Sequence, residues 1–137
     1  MATYETSLFD ENGKRRPDFA LAHNNAANIL ANFGRTDEAL AHYAAAVRAN
    51  PNLPDAQYNW ANALAHAGRF SDALPHYEAA LRLSPELVPA HENLGISLFN
   101  LGRYADAVRE LEIAQGLAPE SESIRANLAT ARARAAR

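Results

Sequence analysis

A chain of 137 residues has the length of one domain. Its formal net charge of −3 and pI near 5.9 argue against a cationic stripe for gripping phosphates, so nucleic acid is not expected as a partner. There is no cysteine, hence no disulfide or thiolate metal site, and no apolar run long enough to cross a bilayer or form a signal-peptide core. The expectation is a cytoplasmic protein without a membrane partner, whole or cut from a longer one. Lys14 is the single lysine among many arginines and alanines, which hints at a GC-rich bacterial genome.

In chain order, residues 1–16 carry no clear repeat signature. Pro17 stands 34 residues before Pro51, and Phe9 stands 34 before Tyr43. Asn12 and Gly13 nevertheless fall where a helix should be closing on alanine and leucine. Residues 1–19 therefore read as an N-terminal arm or degraded half-repeat with a polar, basic loop from Asn12 to Arg16. Helices are expected at Phe19–Asn32 and Asp37–Ala49, then Pro54–Ala67 and Ser71–Leu83, then Val88–Leu101 and Tyr104–Leu117. Thr36 and Ser71 are expected to N-cap second helices. Pro75 lies in the first turns of its helix, where a missing N–H costs at most one hydrogen bond. Ser121 should cap a last helix, Glu122 to about Ala135. Its Ile124, Leu128 and Ala131 would cover the end of the stack, with Arg125, Arg132, Arg134 and Arg137 on its solvent side.

Those elements repeat. Gly34, Gly68 and Gly102 are 34 residues apart, each followed by arginine. Ala39/Ala73/Ala107, Ala46/Ala80/Ala114 and Pro51/Pro85/Pro119 keep the same step. The two alanine rows are seven residues apart, so they share a helical face on which paired helices approach closely. A period of this length with glycine and proline punctuation denotes a helix–turn–helix array.

The array resembles the tetratricopeptide repeat (TPR) family. With position 1 at Ala20, Pro54 and Val88, the family's small residue at position 8 is Ala27, Ala61 and Gly95, and its large residue at 11 is Leu30, Leu64 and Leu98. Alanine follows at positions 20 and 27, Tyr43, Tyr77 and Leu111 stand at the aromatic position 24, and proline closes the unit. The family's Trp at position 4 is His23, Gln57 and His91 here, and Leu111 is not aromatic. The resemblance implies an all-α, right-handed superhelix (an α-solenoid). Its three units would span residues 20–53, 54–87 and 88–121, with a capping helix at 122–137.

A further row points to function. Asn25, Asn59, Asn93 and Asn127 recur at position 6 of each first helix, where the resemblance implies an inner, concave surface. Asn28 and Asn62 lie one turn on, with Ile96 and Thr130 completing that row. Asparagine is a poor helix former, so four at one helical position serve another purpose. One reading is packing: each amide bonds to the neighbouring helix. The other is ligand binding, because an amide can pair with a backbone C=O and N–H together. Adjacent helices pack about 8–10 Å apart and an extended peptide advances about 3.3 Å per residue, so one asparagine would meet about every third residue. The row, with its His23-Asn24-Asn25 wording, resembles the repeats of O-GlcNAc transferase, which implies groove asparagines holding peptide backbone. No room remains for a glycosyltransferase domain. The carboxylate clamp of chaperone-binding repeats needs basic residues where this chain has Asn24, Pro89 and Asn93; only Asn28 and Asn59 fit it, so capture of a chaperone's acidic C-terminus is not expected.

Further groove candidates are Leu21, Asp55, Tyr58, His66, Glu92, Phe99 and Asn100, with Tyr58 and Phe99 offering stacking contacts. The histidines fall in rows, His23 with His91 and His42 with His76, spaced a repeat apart, too far to share a metal. With no cysteine nucleophile, no Gly-rich phosphate loop and no metal set, an enzyme, cofactor or metal is not expected. Glu38, Glu78 and Glu110 read as solvent-facing. The function expected is a protein–protein interaction module binding an extended peptide through the asparagine row. The alternative is a self-assembly scaffold, a homo-oligomer joined through repeat edges. The arm, Thr3 to Arg16, could also occupy a groove as an autoinhibitor.

Overall fold

The computed structural model describes residues 11–14 and 17–137, so the expectations for Phe9 and most of the arm lie outside the described residues. Among the described residues seven helices follow one another: α1 (Pro17–Asn32), α2 (Thr36–Ala49), α3 (Pro54–His66), α4 (Phe70–Leu83), α5 (Val88–Asn100), α6 (Tyr104–Leu117) and α7 (Glu122–Ala135). No strand occurs among the described residues.

The recurring glycines close each first helix in the same way. Gly34, Gly68 and Gly102 all sit at φ +78°, a left-handed conformation costly for residues with a Cβ. The Gly34 and Arg35 amides donate to the carbonyls of Ala31 and Leu30 at 3.0 and 2.9 Å, and the same pair of bonds recurs at Gly68–Arg69 and Gly102–Arg103. This is the Schellman closure, which satisfies helix-end carbonyls.

α6 starts at Tyr104 as expected, but the other two second helices start one residue earlier than expected, and this removes Thr36 and Ser71 as caps. α2 begins at Thr36 itself and α4 at Phe70, so both hydroxyl residues lie inside the helix and neither caps it. The arginine after each glycine occupies the cap position and pairs with an acid three residues on: Arg35 with Glu38 (2.7 Å), Arg69 with Asp72 (3.1 Å) and Arg103 with Asp106 (2.9 Å). The acid also faces the positive end of the helix dipole. Ser121 does cap α7, accepting from the Ile124 amide at 3.3 Å.

Packing follows the alanine rows. Ala39, Ala46, Ala73, Ala80, Ala107 and Ala114 are all fully buried. Without longer side chains there, α1 lies close on α2, α3 on α4 and α5 on α6, and each second helix packs on the next first helix. Tyr43, Tyr77 and Leu111 fill the space between the rows. Ile124, Leu128 and Ala131 of α7 are buried against this stack, with Leu128 and Ala131 joining the core of α3–α6. The first helices also touch their counterparts, α1 with α3, α3 with α5 and α5 with α7. The second helices do not approach one another to that extent, so the stack curves with the first helices inside. The result is a helix–turn–helix solenoid.

Candidate functional site

Three sets of polar contacts organise the inner helices, each recurring with the repeat. The first brackets a helix pair. Residues 19 apart meet across it: His23 with His42 (2.8 Å between Nδ1 atoms), His76 with Gln57 (Nδ1–H donating, 2.8 Å) and His91 with Glu110 (Nδ1–H donating, 2.9 Å). His23 and His42, expected in separate rows, therefore meet within the first repeat. Glu110, expected to face solvent, is half-buried in a pair with His91. Burial depresses the titration of His23, reinforced by His42 and then Arg48; burial does the same to His76, opposed by Asp72. Trp60 stacks on His76 with ring centroids 3.8 Å apart.

The second set joins position 24 to position 9. The Tyr43 hydroxyl donates to Asn28 Oδ1 and that of Tyr77 to Asn62 Oδ1, both at 2.5 Å. Burial pushes Tyr43 up to about 12 and raises Tyr77 further, with Tyr58 adding to the latter. In the third pair both partners are apolar, Leu111 and Ile96.

The third set is the asparagine row itself. Asn59 Nδ2 donates to Asn24 Oδ1 (3.2 Å) and Asn127 Nδ2 to Glu92 Oε1 (3.1 Å). Asn93 Nδ2 donates to the Tyr58 hydroxyl (3.1 Å) and Asn62 Oδ1 (3.2 Å). Each partner one repeat back lies 35 residues earlier, so these amides tie successive first helices together. Their Oδ1 atoms accept no hydrogen bond among the described residues, leaving an acceptor on each. Asn25, on the outermost first helix, is exposed.

Two hollows open along the inner face. The first, about 590 Å³, lies between the first and second pairs; Asn28, Asn59, Asn62 and His66 line it beside Thr36 and Tyr43. The second, about 290 Å³, lies between the second and third pairs, with Asn62, His66, Asn93 and Asn100 beside Phe70, Tyr77 and Ile96. They share Asn62 and His66, so they form one run. His66 turns its Nδ1–H to the Asn62 carbonyl, and Asn100 its amide to that of Ile96.

The remaining candidates lie outside the hollows. Tyr58 is half-buried behind Asn93, and Glu92 accepts from Ser123 as well as Asn127 at the junction with α7. Phe99 is half-buried against Tyr104, ring centroids 5.1 Å apart. Leu21 and Asp55 are exposed. Sequence reasoning missed Asn24, Thr36, Phe70 and Arg134. The signal was available for three of them: Thr36 and Phe70 share one repeat register, and Arg134 shares that of His66 and Asn100. Among the described residues no group of three metal-ligating side chains assembles, and no helix is long and apolar enough to cross a membrane.

The chain matches a model of tetratricopeptide repeats over residues 58–122 and again over 92–137, and a model of bacterial transcriptional activator domains over 13–88. No curated protein matches it. Among solved structures it resembles the first TPR of Spaghetti (RPAP3) bound to the HSP90 peptide SRMEEVD. The TM-score is 0.83 at 22% identity, over 95% of this chain and 98% of that one. The first TPR domain of human RPAP3 gives 0.83 at 24% identity over 88% and 95% of the two chains. The Sgt2 TPR domain of Aspergillus fumigatus gives 0.78 at 21% identity over 85% and 78%. At these identities the likeness speaks for the fold.

Proposed function

We propose, from the premise that this chain belongs to the tetratricopeptide repeat family, that it is a non-catalytic interaction module holding an extended peptide segment along its inner face. The observation that carries this reading is the continuous pair of hollows sharing Asn62 and His66, into which the asparagines of successive first helices converge. Asn59 and Asn93 each retain an Oδ1 acceptor for a peptide N–H. This is the use that the resemblance to the O-GlcNAc transferase repeats implies. The same amides also brace the stack, so packing and binding are two roles of one residue. We take the units to run 20–53, 54–87 and 88–121, with 122–137 as the cap. We place the protein in a bacterial cytoplasm, a setting favoured by the match to bacterial transcriptional activator domains. Capture of a chaperone C-terminus by the family's basic clamp is not part of the proposal, because Asn24, Pro89 and Asn93 occupy the basic positions.

The test is a peptide-array capture with wild type beside Asn25/Asn59/Asn93/Asn127→Ala, helical content being checked by circular dichroism. Wild type should capture extended segments and the folded variant should not. Equal capture by both would leave the asparagines a packing role alone.

One observation favours self-assembly through a repeat edge as a second reading. Ala63, Ser97 and Ala131 are each buried by the preceding pair, whereas Ile29, at the same register on α1, is 58% exposed. Mass that rises with concentration, and falls on Ile29→Ser, would support edge stacking.

A further inference from the structure

The inner face changes character along its length, and the change is visible because each site recurs in register. Between the first and second pairs the wall residue is Thr36 and the floor residue Asn62. One repeat on, the same two registers hold Phe70 and Ile96, so the second hollow has an apolar wall and floor among its amides. One repeat further, they hold Tyr104 and Thr130. Here Arg134 lies over both rings of the end cluster, 4.7 Å from the Tyr104 centroid and 5.7 Å from that of Phe99.

Arg134 is oriented by its neighbours without being neutralised by them. It donates to the Tyr104 hydroxyl at 2.6 Å. Among the described residues, the nearby arginines meet acids instead: Arg132 pairs with Glu112, and Arg103 and Arg109 with Asp106. Two carboxylates stand near this junction, and both are engaged elsewhere: Glu92 is bonded by Asn127 and Ser123 at the other end of α7, and Asp106 by Arg103 and Arg109. Asn127 and Arg134 are seven residues apart, roughly 10 Å along the helix. From Arg134 the surface continues into a further hollow, which Arg134 lines together with Arg103, Tyr104, Arg137 and the Asp106 that Arg103 pairs with.

We propose that this groove selects an extended peptide in which one apolar side chain enters the Phe70–Ile96 hollow and an aspartate or glutamate side chain, about three residues along, reaches Arg134. The spacing is one step of the stack, about 8–10 Å, divided by about 3.3 Å per extended residue. The arginine-lined hollow past Arg134 favours a chain that runs on, so the acid belongs to a side chain and not to a peptide terminus. The inference rests on the groove reading above and names the chemistry of its partner.

Fluorescence anisotropy on the full chain tests it, with twelve-residue amidated peptides of Gly, Ser and Ala carrying Leu and Asp three residues apart. Replacing Leu by Ala should weaken binding roughly tenfold or more, as expected for an apolar side chain moved into contact. Replacing Asp by Asn should weaken it up to roughly fivefold at low salt, with the difference fading as salt rises. Arg134→Gln should abolish the Asp preference and keep the Leu preference. Phe70→Thr, which copies Thr36, should do the reverse, so either variant is informative if the other fails to fold. If the peptides bind within twofold of one another, the selectivity is overturned and the groove stands. If a free-carboxylate peptide without Asp binds as tightly as the Asp peptide, the side-chain assignment is overturned. If no peptide binds, the groove reading falls, and this inference with it.

Discussion

The second and third helix pairs solve one packing problem with opposite chemistry. In the second, Ala61, Asn62 and Tyr77 meet, and the phenol donates to the amide across the pair. In the third, Gly95, Ile96 and Leu111 occupy the same registers with no hydrogen bond between them. Leu111 branches at Cγ, close against its partner helix. A Cβ on Gly95 would lie 2.8 Å from Leu111 Cγ. The three residues therefore change as a set: losing the ring removes the need for an acceptor, and the branched replacement demands a glycine. The exchange also re-surfaces the groove, because the register that offers an amide at Asn62 offers a hydrocarbon at Ile96.

The sharpest way to break the comparison is to remove what only the third pair depends on. Deleting residues 122–137 strips Ile124, Leu128 and Ala131 from it, while the second pair keeps its neighbour. Two large apolar side chains at about 1.5–3 kcal/mol each predict a loss of roughly 3–6 kcal/mol, with aggregation through the exposed face. A truncated protein that stays monomeric with an unchanged urea midpoint would deny α7 its capping role.

The next effect is smaller and isolates the polar set. Asn62→Ile leaves the buried Tyr77 hydroxyl without its acceptor, at a cost of about 1–3 kcal/mol. Asn62→Ile/Tyr77→Leu/Ala61→Gly, which installs the third pair's solution, should recover part of that loss. If the triple variant is less stable than the single one in chemical denaturation, the three registers do not act as a set. The reciprocal change, Gly95→Ala, gains about 1 kcal/mol of helix propensity but presses on Leu111, where overpacking costs about 1–3 kcal/mol. A net loss of roughly 1 kcal/mol is expected, turning to a gain when Leu111→Ala supplies the space.

What was legible in the sequence tracks how local the cause is. Gly34, Gly68 and Gly102 announce the turns because a left-handed φ leaves a signature in a single letter. The alanine rows announce the helix contacts because close approach admits little else. The caps were misplaced at Thr36 and Ser71 because a shift of one or two residues at a helix start, invisible to periodicity, moves a hydroxyl from cap to interior. The exchange at Leu111 reads as ordinary variation until Ile96 is seen beside it, fifteen residues away and across a turn. The candidate site divides in the same way. Asn28, Asn59, Asn62, Asn93, His66 and Asn100 could be placed on one face by counting. That Phe70 walls a hollow and Arg134 stacks on Tyr104 depends on how neighbouring pairs dock, which no single helix encodes.

The smallest effect concerns protons and compares the first pair with the third. His23 and His42 meet through their Nδ1 atoms, so one must donate and the other accept, and a second proton finds no acceptor there. Arg48 adds repulsion at His23, and Phe19 packs on its ring, while Glu38 stands near His42. His91 is set differently: Glu110 and the Pro85 carbonyl, both acceptors, face its two ring nitrogens. The pKa of His23 is lowered in the folded state, as is that of buried His76. A lowered histidine binds fewer protons folded than unfolded, so its stabilisation is present above the unfolded value of about 6.5 and is lost as pH falls through it. Urea midpoints should therefore drop between pH 7 and pH 5. His23→Gln, which copies Gln57, should shrink that drop, and His42→Glu, which copies Glu110, should shrink it further by giving His23 a carboxylate. An unchanged pH slope in both variants would place the acid sensitivity elsewhere in the stack.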